Sequence, residues 1–178
     1  MARMQLGSNV VVPAIIVGGN EVAGYTLDDE GLARPIEGHV IIKGVKRASY
    51  RSFFYRFAGC ARINRISFPD LTYVEPQALQ RICSECTGLN MVDFNKLERI
   101  ESAGLTGAFN TCTSLGEIRF PALKYVADGA FGTSSLCFAK CTGLLHIWFP
   151  AAMQSTIEGL TGYASKFGAV NATIHFTL

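Results

Sequence analysis

From Phe57 to Pro150 the apolar positions of the chain fall into one repeating frame. Take Cys60, Cys86, Cys112 and Cys141 as origins, at intervals of 26, 26 and 29 residues. Three residues before them stand Phe57, Cys83, Phe109 and Phe138, and three after stand Ile63, Leu89, Leu115 and Leu144. Six after stand Ile66, Val92, Ile118 and Ile147, and eight after is always phenylalanine: Phe68, Phe94, Phe120 and Phe149. Pro69, Asn95, Pro121 and Pro150 come next. In the first three units Leu71, Leu97 and Leu123 follow at plus eleven, and Val74, Ile100 and Val126 at plus fourteen. The unit reads F-x-x-C-x-x-L-x-x-I-x-F-P-x-L-x-x-I.

A period in this range marks an array in which no unit buries its apolar face alone and stacked neighbours bury it together. The alternating I-x-F pair puts both side chains on one side, which predicts a short strand. The Pro or Asn after it ends the strand, since Pro cannot donate to a ladder. Stacked turns then bring parallel strands to ~4.8 Å. The L-x-x-I pair begins a return path. The stretch before each cysteine, with Ala78-Leu79 and Ala130-Phe131, reads as a short helical or 3₁₀ turn.

The frame extends outward. Val40, Ile42, Val45 and Ala48 occupy strand and post-strand positions one unit earlier, and Ile174 with Phe176 do so at the other end. There Asn171 and Gly168 replace the expected Leu and Cys. Terminal turns depart from consensus because they cap the stack. Three extra residues between Phe131 and Phe138 imply a bulge on one turn. The expected fold is an α/β repeat solenoid of about five to six turns over residues 36–178, with 160–178 as a degenerate C-terminal cap. Residues 1–35 lie outside the frame. Their Gly18-Gly19-Asn20 turn, flanked by β-branched residues, reads as a hairpin that caps the first turn or tethers the array.

The unit resembles the BspA-like leucine-rich repeats of bacterial proteins, which run F-x-x-C-x-x-L-x-x-I-x-I/F-P. The ending YASKFGAVNATIHF (163–176) is similar to the way such arrays close. The resemblance covers about residues 38–178. It departs from the family at Cys83, where a large apolar residue such as Phe is usual, and after Pro150, where AAMQSTIEG does not fit the second half of a unit. It implies a leucine-rich-repeat solenoid used for binding or adhesion, on a bacterial surface, secreted, or on a phage particle. It brings no catalytic residues with it.

Composition narrows the rest. With 178 residues, 49% of them hydrophobic and 17% charged, the chain suits one well-cored domain. A net charge of +2 gives no general pull on nucleic acid or anionic membrane. The longest apolar run, Val10–Val17, has eight residues and includes Pro13. A spanning helix needs about twenty. With no clear secretory signal either, the sequence reads as soluble and without a membrane span.

Cys83-Ser-Glu-Cys86 has the spacing of a redox or zinc pair, and Cys137 with Cys141 could complete four ligands. The frame argues against this. Cys60, Cys86, Cys112 and Cys141 share one repeat position, and Cys83 stands where sister units place Phe, so buried thiols are expected. Only Cys137 falls outside the register. No phosphate loop, G-x-S-x-G or H-E-x-x-H motif is present. His146 and His175 come from adjacent turns, but no Cys or carboxylate in register joins them. We therefore expect no enzyme, no metal and no cofactor.

Function then falls to the outward positions of the strands. Plus five reads His39, Arg65, Met91, Glu117, His146, Thr173, and plus seven reads Ile41, Ser67, Asp93, Arg119, Trp148, His175. Trp148, the only tryptophan, is flanked by Arg119 and His175 on neighbouring turns, with His146 beside it. Such groups dominate binding hot spots; the alternative is that Trp148 covers the sheet or packs on the C-terminal cap. A second column at plus thirteen, Arg47, Tyr73, Arg99 and Tyr125, predicts stacked cation–π pairs on the return path. Two readings follow. One is a non-enzymatic module that presents its sheet to a protein or glycan. The other is a structural spacer tethered through residues 1–35.

Overall fold

A computed structural model describes the backbone of Ile15–Val17 and Asn20–Val22 and the whole of residues 37–177. Within these residues the chain is a parallel β-solenoid. The long sheet holds β3 (Gly38–Ile42), β5 (Ile63–Ser67), β7 (Met91–Asp93), β9 (Glu117–Arg119), β11 (His146–Pro150) and β12 (Thr173–Thr177) in that spatial order, each parallel to the next. A narrower sheet holds β4 (Arg47–Ala48), β6 (Tyr73–Val74), β8 (Arg99–Ile100) and β10 (Tyr125–Val126), also parallel. At the first turn β1 (Ile15–Val17) runs antiparallel to β3 and pairs with β2 (Asn20–Val22) on its other side. Gly18 and Gly19, where the sequence puts the turn, lie outside the described residues, as does the rest of the segment assigned to capping or tethering.

The frame residues are the core. Every plus-eight phenylalanine is buried, and the four rings form a file through the solenoid. Phe68, Phe94, Phe120 and Phe149 follow one another at 5.5, 5.7 and 5.3 Å between centroids, near parallel. The interval is set by the strand spacing, ~4.8 Å, plus the offset that stacked rings prefer.

The return segments take an unusual form. Before each cysteine the amides alternate between two partners. Phe54, Arg56 and Ala58 bond to carbonyls three residues back, while Phe53, Tyr55, Phe57 and Gly59 bond to Ala78, Gln80, Ile82 and Ser84 of the next turn. The 3₁₀-type bonds expected from sequence are present, but only at every second residue. The others extend the inter-turn ladder around the back of the solenoid. The stretches are therefore runs of overlapping turns, and the helices gather at the C-terminal end.

The three extra residues form a closed loop. The amide of Cys137 bonds to the carbonyl of Phe131 at 2.8 Å, and Phe109 and Thr111 then find Cys137 and Ala139 in the following turn. After Pro150 a short 3₁₀ turn, Ala151–Met153, and α1 (Gln154–Glu158) replace the second strand of the unit. A Cys at position 168 could not be accommodated, because a Cβ on Gly168 would lie 2.7 Å from the amide nitrogen of Ala139. The degenerate closing turn thus reflects a closer backbone approach.

Candidate functional site

The ladders set the outward columns side by side. Asp93 faces Arg119, Arg119 faces Trp148, and Trp148 faces His175; Glu117 faces His146, and His146 faces Thr173. A diagonal connects the columns in three turns, where the plus-five side chain leans toward plus seven of the following turn, while Glu117 bonds to Arg119 within its own strand. His39 Nε2 meets Ser67 Oγ at 2.7 Å, Arg65 meets Asp93 at 2.6 and 2.8 Å, and His146 Nδ1 meets His175 Nε2 at 3.0 Å.

The C-terminal half of this face carries the Trp148 group. His175 stacks on one face of the indole, 3.9 Å between centroids with the planes 14° apart. The Arg119 guanidinium lies over the ring from the other neighbouring strand, 4.6 Å from its centroid. Arg119 is itself held by Glu117 through two bonds of 2.9 Å. That pairing holds the Glu117 carboxyl below its usual range and raises Arg119. The indole N–H lies near enough to Glu117 to help keep it ionised, but forms no hydrogen bond of good geometry, so Nε1 is buried without a partner. Leu145, next to His146 in sequence, is 51% exposed. All four residues nominated from sequence, Arg119, His146, Trp148 and His175, therefore meet in one place.

The plus-thirteen column is also assembled. Arg47 lies 4.2 Å from the Tyr73 centroid, and Arg99 lies 5.7 Å from Tyr73 and 3.8 Å from Tyr125. Three of its four polar groups are engaged internally. Arg47 pairs with Glu75, and Tyr73 and Arg99 both bond to Glu101. Those bonds hold Glu101 below the normal carboxylate range, Arg99 contributing most.

Cys83, Cys86, Cys112, Cys137 and Cys141 are buried, while Cys60 is half-buried. None is in a disulfide. Burial pushes Cys83 and Cys137 far above the ordinary thiol range, and Cys141 up to about 11. Cys86 differs, because the neighbouring Cys83 thiol lowers it by hydrogen bonding while burial raises it. The Cys86 thiol also reaches the Phe57 carbonyl at 2.9 Å, a bond only the protonated sulfur can donate, so the neutral form is the one the fold holds.

Two features escaped the sequence reading. One is the network in which Ser67 donates to Asp93 at 2.6 Å while meeting His39, with Arg65 on the same carboxylate. Burial and Arg65 together lower His39. The Ser67 proton points at a carboxylate and not at the imidazole, so this is no activated nucleophile. Applying the diagonal to the two columns would have found it. The other is an exposed cluster on the first return segment, Tyr50, Phe54 and Tyr55, with Arg51 over Phe54 and Arg81 over Tyr55. Its signal was in the frame, because no sister unit carries an aromatic at the offsets of Phe54 and Tyr55.

Among the described residues no helix is long and apolar enough to cross a membrane. No protein-family model matches the chain, and no curated protein does. Among solved structures it is similar to a leucine-rich repeat protein of T. pallidum, at 17% identity over 72% of this chain and 69% of that one, with a TM-score of 0.33.

Proposed function

We propose that the protein is a non-enzymatic binding module of the BspA-like leucine-rich-repeat kind, and that it engages a partner through the C-terminal half of its long sheet. The carrying observation is the Arg119–Trp148–His175 stack. It puts the only tryptophan, on the strand that follows exposed Leu145, together with a cation and an imidazole on a rigid strand surface. Trp and Arg carry a large share of interface energies, and rigid elements hold them at low entropic cost.

The arrangement favours a protein over a glycan. A sugar stacks on an open aromatic face, whereas both faces of Trp148 are covered, one by Arg119 and one by His175. What the stack offers is its edge, with the Arg119 guanidinium over the ring. An aromatic edge with a guanidinium suits a peptide carbonyl or carboxylate. The internally paired plus-thirteen column supports no competing site. Crosslinking on the native protein, with mass spectrometry of what is captured, tests this reading. A genuine partner is enriched with wild type and lost with Trp148→Ala. A partner that crosslinks equally to the folded variant places the contact elsewhere.

A further inference from the structure

Beyond partner binding, we propose that His146 and His175 form a two-imidazole site for a divalent transition-metal ion of the Ni(II) or Cu(II) class. The facing nitrogens, Nδ1 of His146 and Nε2 of His175, stand 3.0 Å apart on adjacent strands. Metal–imidazole bonds are about 2.0–2.1 Å long. Two such bonds at a right angle put their nitrogens about 2.9 Å apart, the cis spacing of the tetragonal centres that Cu(II) and Ni(II) prefer. A tetrahedral Zn(II) centre wants about 3.3 Å by the same trigonometry. The nitrogen spacing of the pair therefore already matches that of a tetragonal ion.

The scaffold keeps it there. β11 and β12 are joined by five consecutive register pairs, which fix both Cα positions. His175 is further held flat against Trp148. His146 is exposed, and turning its ring off the N···N line would bring the two lone pairs to a common point. Without metal, one of the two nitrogens carries the proton of the N–H···N contact. Binding requires both bare, so that proton moves to the other nitrogen of its own ring. The neutral pair exchanges a tautomer and releases no proton. Among the described residues no group of three or more His, Cys, Asp or Glu gathers at one point. The protein supplies two ligands, and water or a ligand from outside fills the remaining positions. Glu117, opposite His146 in the ladder, is the nearby anionic group and is engaged by Arg119.

Trp148 is the reporter, since a paramagnetic ion bound at His175 sits within quenching range of the sole indole. Ni(II) is the probe, because it does not oxidise thiols as Cu(II) does. Titrating the full chain with Ni(II) should give a saturable loss of Trp148 fluorescence at one ion per chain, reversed by EDTA. His146→Asn should weaken the ion at least tenfold, and His39→Asn should leave it unchanged. His146 lies outside the Trp148–His175 stack, so its replacement leaves the reporter in place and serves as the decisive variant. No saturable quenching below millimolar Ni(II), or quenching that survives His146→Asn undiminished, overturns the proposal. Neither result depends on a protein partner being found.

Discussion

The thiol of Cys112 donates to the backbone carbonyl of Cys83, in the turn before it, at 3.1 Å. That carbonyl already accepts the amide of Cys86, so both its lone pairs are used inside the core. The bond recurs from Cys86 to Phe57 and from Cys141 to Phe109, at 2.9 and 2.8 Å. The repeat thus wants cysteine for two reasons. It is small and apolar enough for the core, and it carries a donor for a carbonyl that points inward.

Cys112→Ala removes both contributions. It leaves a cavity about the size of a sulfur and a carbonyl one donor short. The expected loss is about 2 kcal/mol, read as a lower urea midpoint at unchanged slope. Cys112→Ser restores the donor and should recover part of the loss. If Ser is worse than Ala, the thiol bond is not what the position selects.

Thiol labelling should follow burial. Cys60 is the half-buried one, and the other cysteines are covered. Attack needs thiolate, which burial suppresses. With a small maleimide in native buffer at neutral pH, Cys60 should react first and alone, and the other five only as the fold opens. Early modification of Cys83 or Cys86, mapped by peptide mass, would show the C-x-x-C pair to be accessible chemistry after all.

The phenylalanine file makes a third prediction. Phe94 touches Phe68 and Phe120 in the file and Phe109 across it, and it is fully buried. Phe94→Ala should cost about 3–5 kcal/mol. In a solenoid each turn rests only on its neighbours. Amide exchange should therefore rise most in its own turn, residues 89–100, and in the adjoining turns of residues 63–74 and 117–126, and least near β12. Uniform loss of protection would mean that the array unfolds as one unit.

Strands, ladders and core were legible because a period of 26 residues repeats the same burial at the same offset. One aligned column therefore predicts a whole file of side chains, such as Phe68 to Phe149. The Trp148 corner was legible for the same reason, since register follows from period. What a period cannot show is the direction in which a side chain leans. The diagonal contacts of His39 with Ser67 and of Arg65 with Asp93 depend on that lean. Return-path geometry was also hidden. Its alternation of local and inter-turn bonds needs left-handed backbone at Arg51, Tyr55, Gln77, Arg81 and Glu85, residue types that advertise no such conformation.

Trp148→Ala separates partner binding from folding. The ring is part-buried at the surface of the sheet and lies outside the phenylalanine file. Its removal should shift the thermal midpoint only slightly, while partner affinity falls about 30-fold, the size of a hot-spot truncation near 2 kcal/mol. Arg119→Ala should weaken binding less, because Arg119 covers the ring and is already paired with Glu117. Calorimetry on both variants checks the order, and equal losses from the two would point to charge in place of the ring.

Acid should loosen the C-terminal turn through Asp128. Its carboxylate accepts the amide of Thr161 at 2.7 Å and the Thr161 hydroxyl at 3.0 Å, which joins the turn after α1 to the return path before it. The Thr161 amide is the largest cause holding Asp128 below the usual carboxylate range, and Asp70, Glu101 and Glu117 are lowered by their own partners. For each group the folded value lies below the unfolded one, near 4. The stability they contribute is therefore fully present above about pH 5 and is lost as pH falls through the folded values. Exchange of the Thr161 amide should be faster in Asp128→Ala than in wild type at pH 6. The difference should vanish once Asp128 is protonated in the wild type, because both proteins then lack the acceptor charge. Comparing the two at one pH cancels the intrinsic acid dependence of exchange. Equal rates at pH 6 would mean that the helix-bearing turn is held by Ile157 and Leu160 in the core and not by this carboxylate.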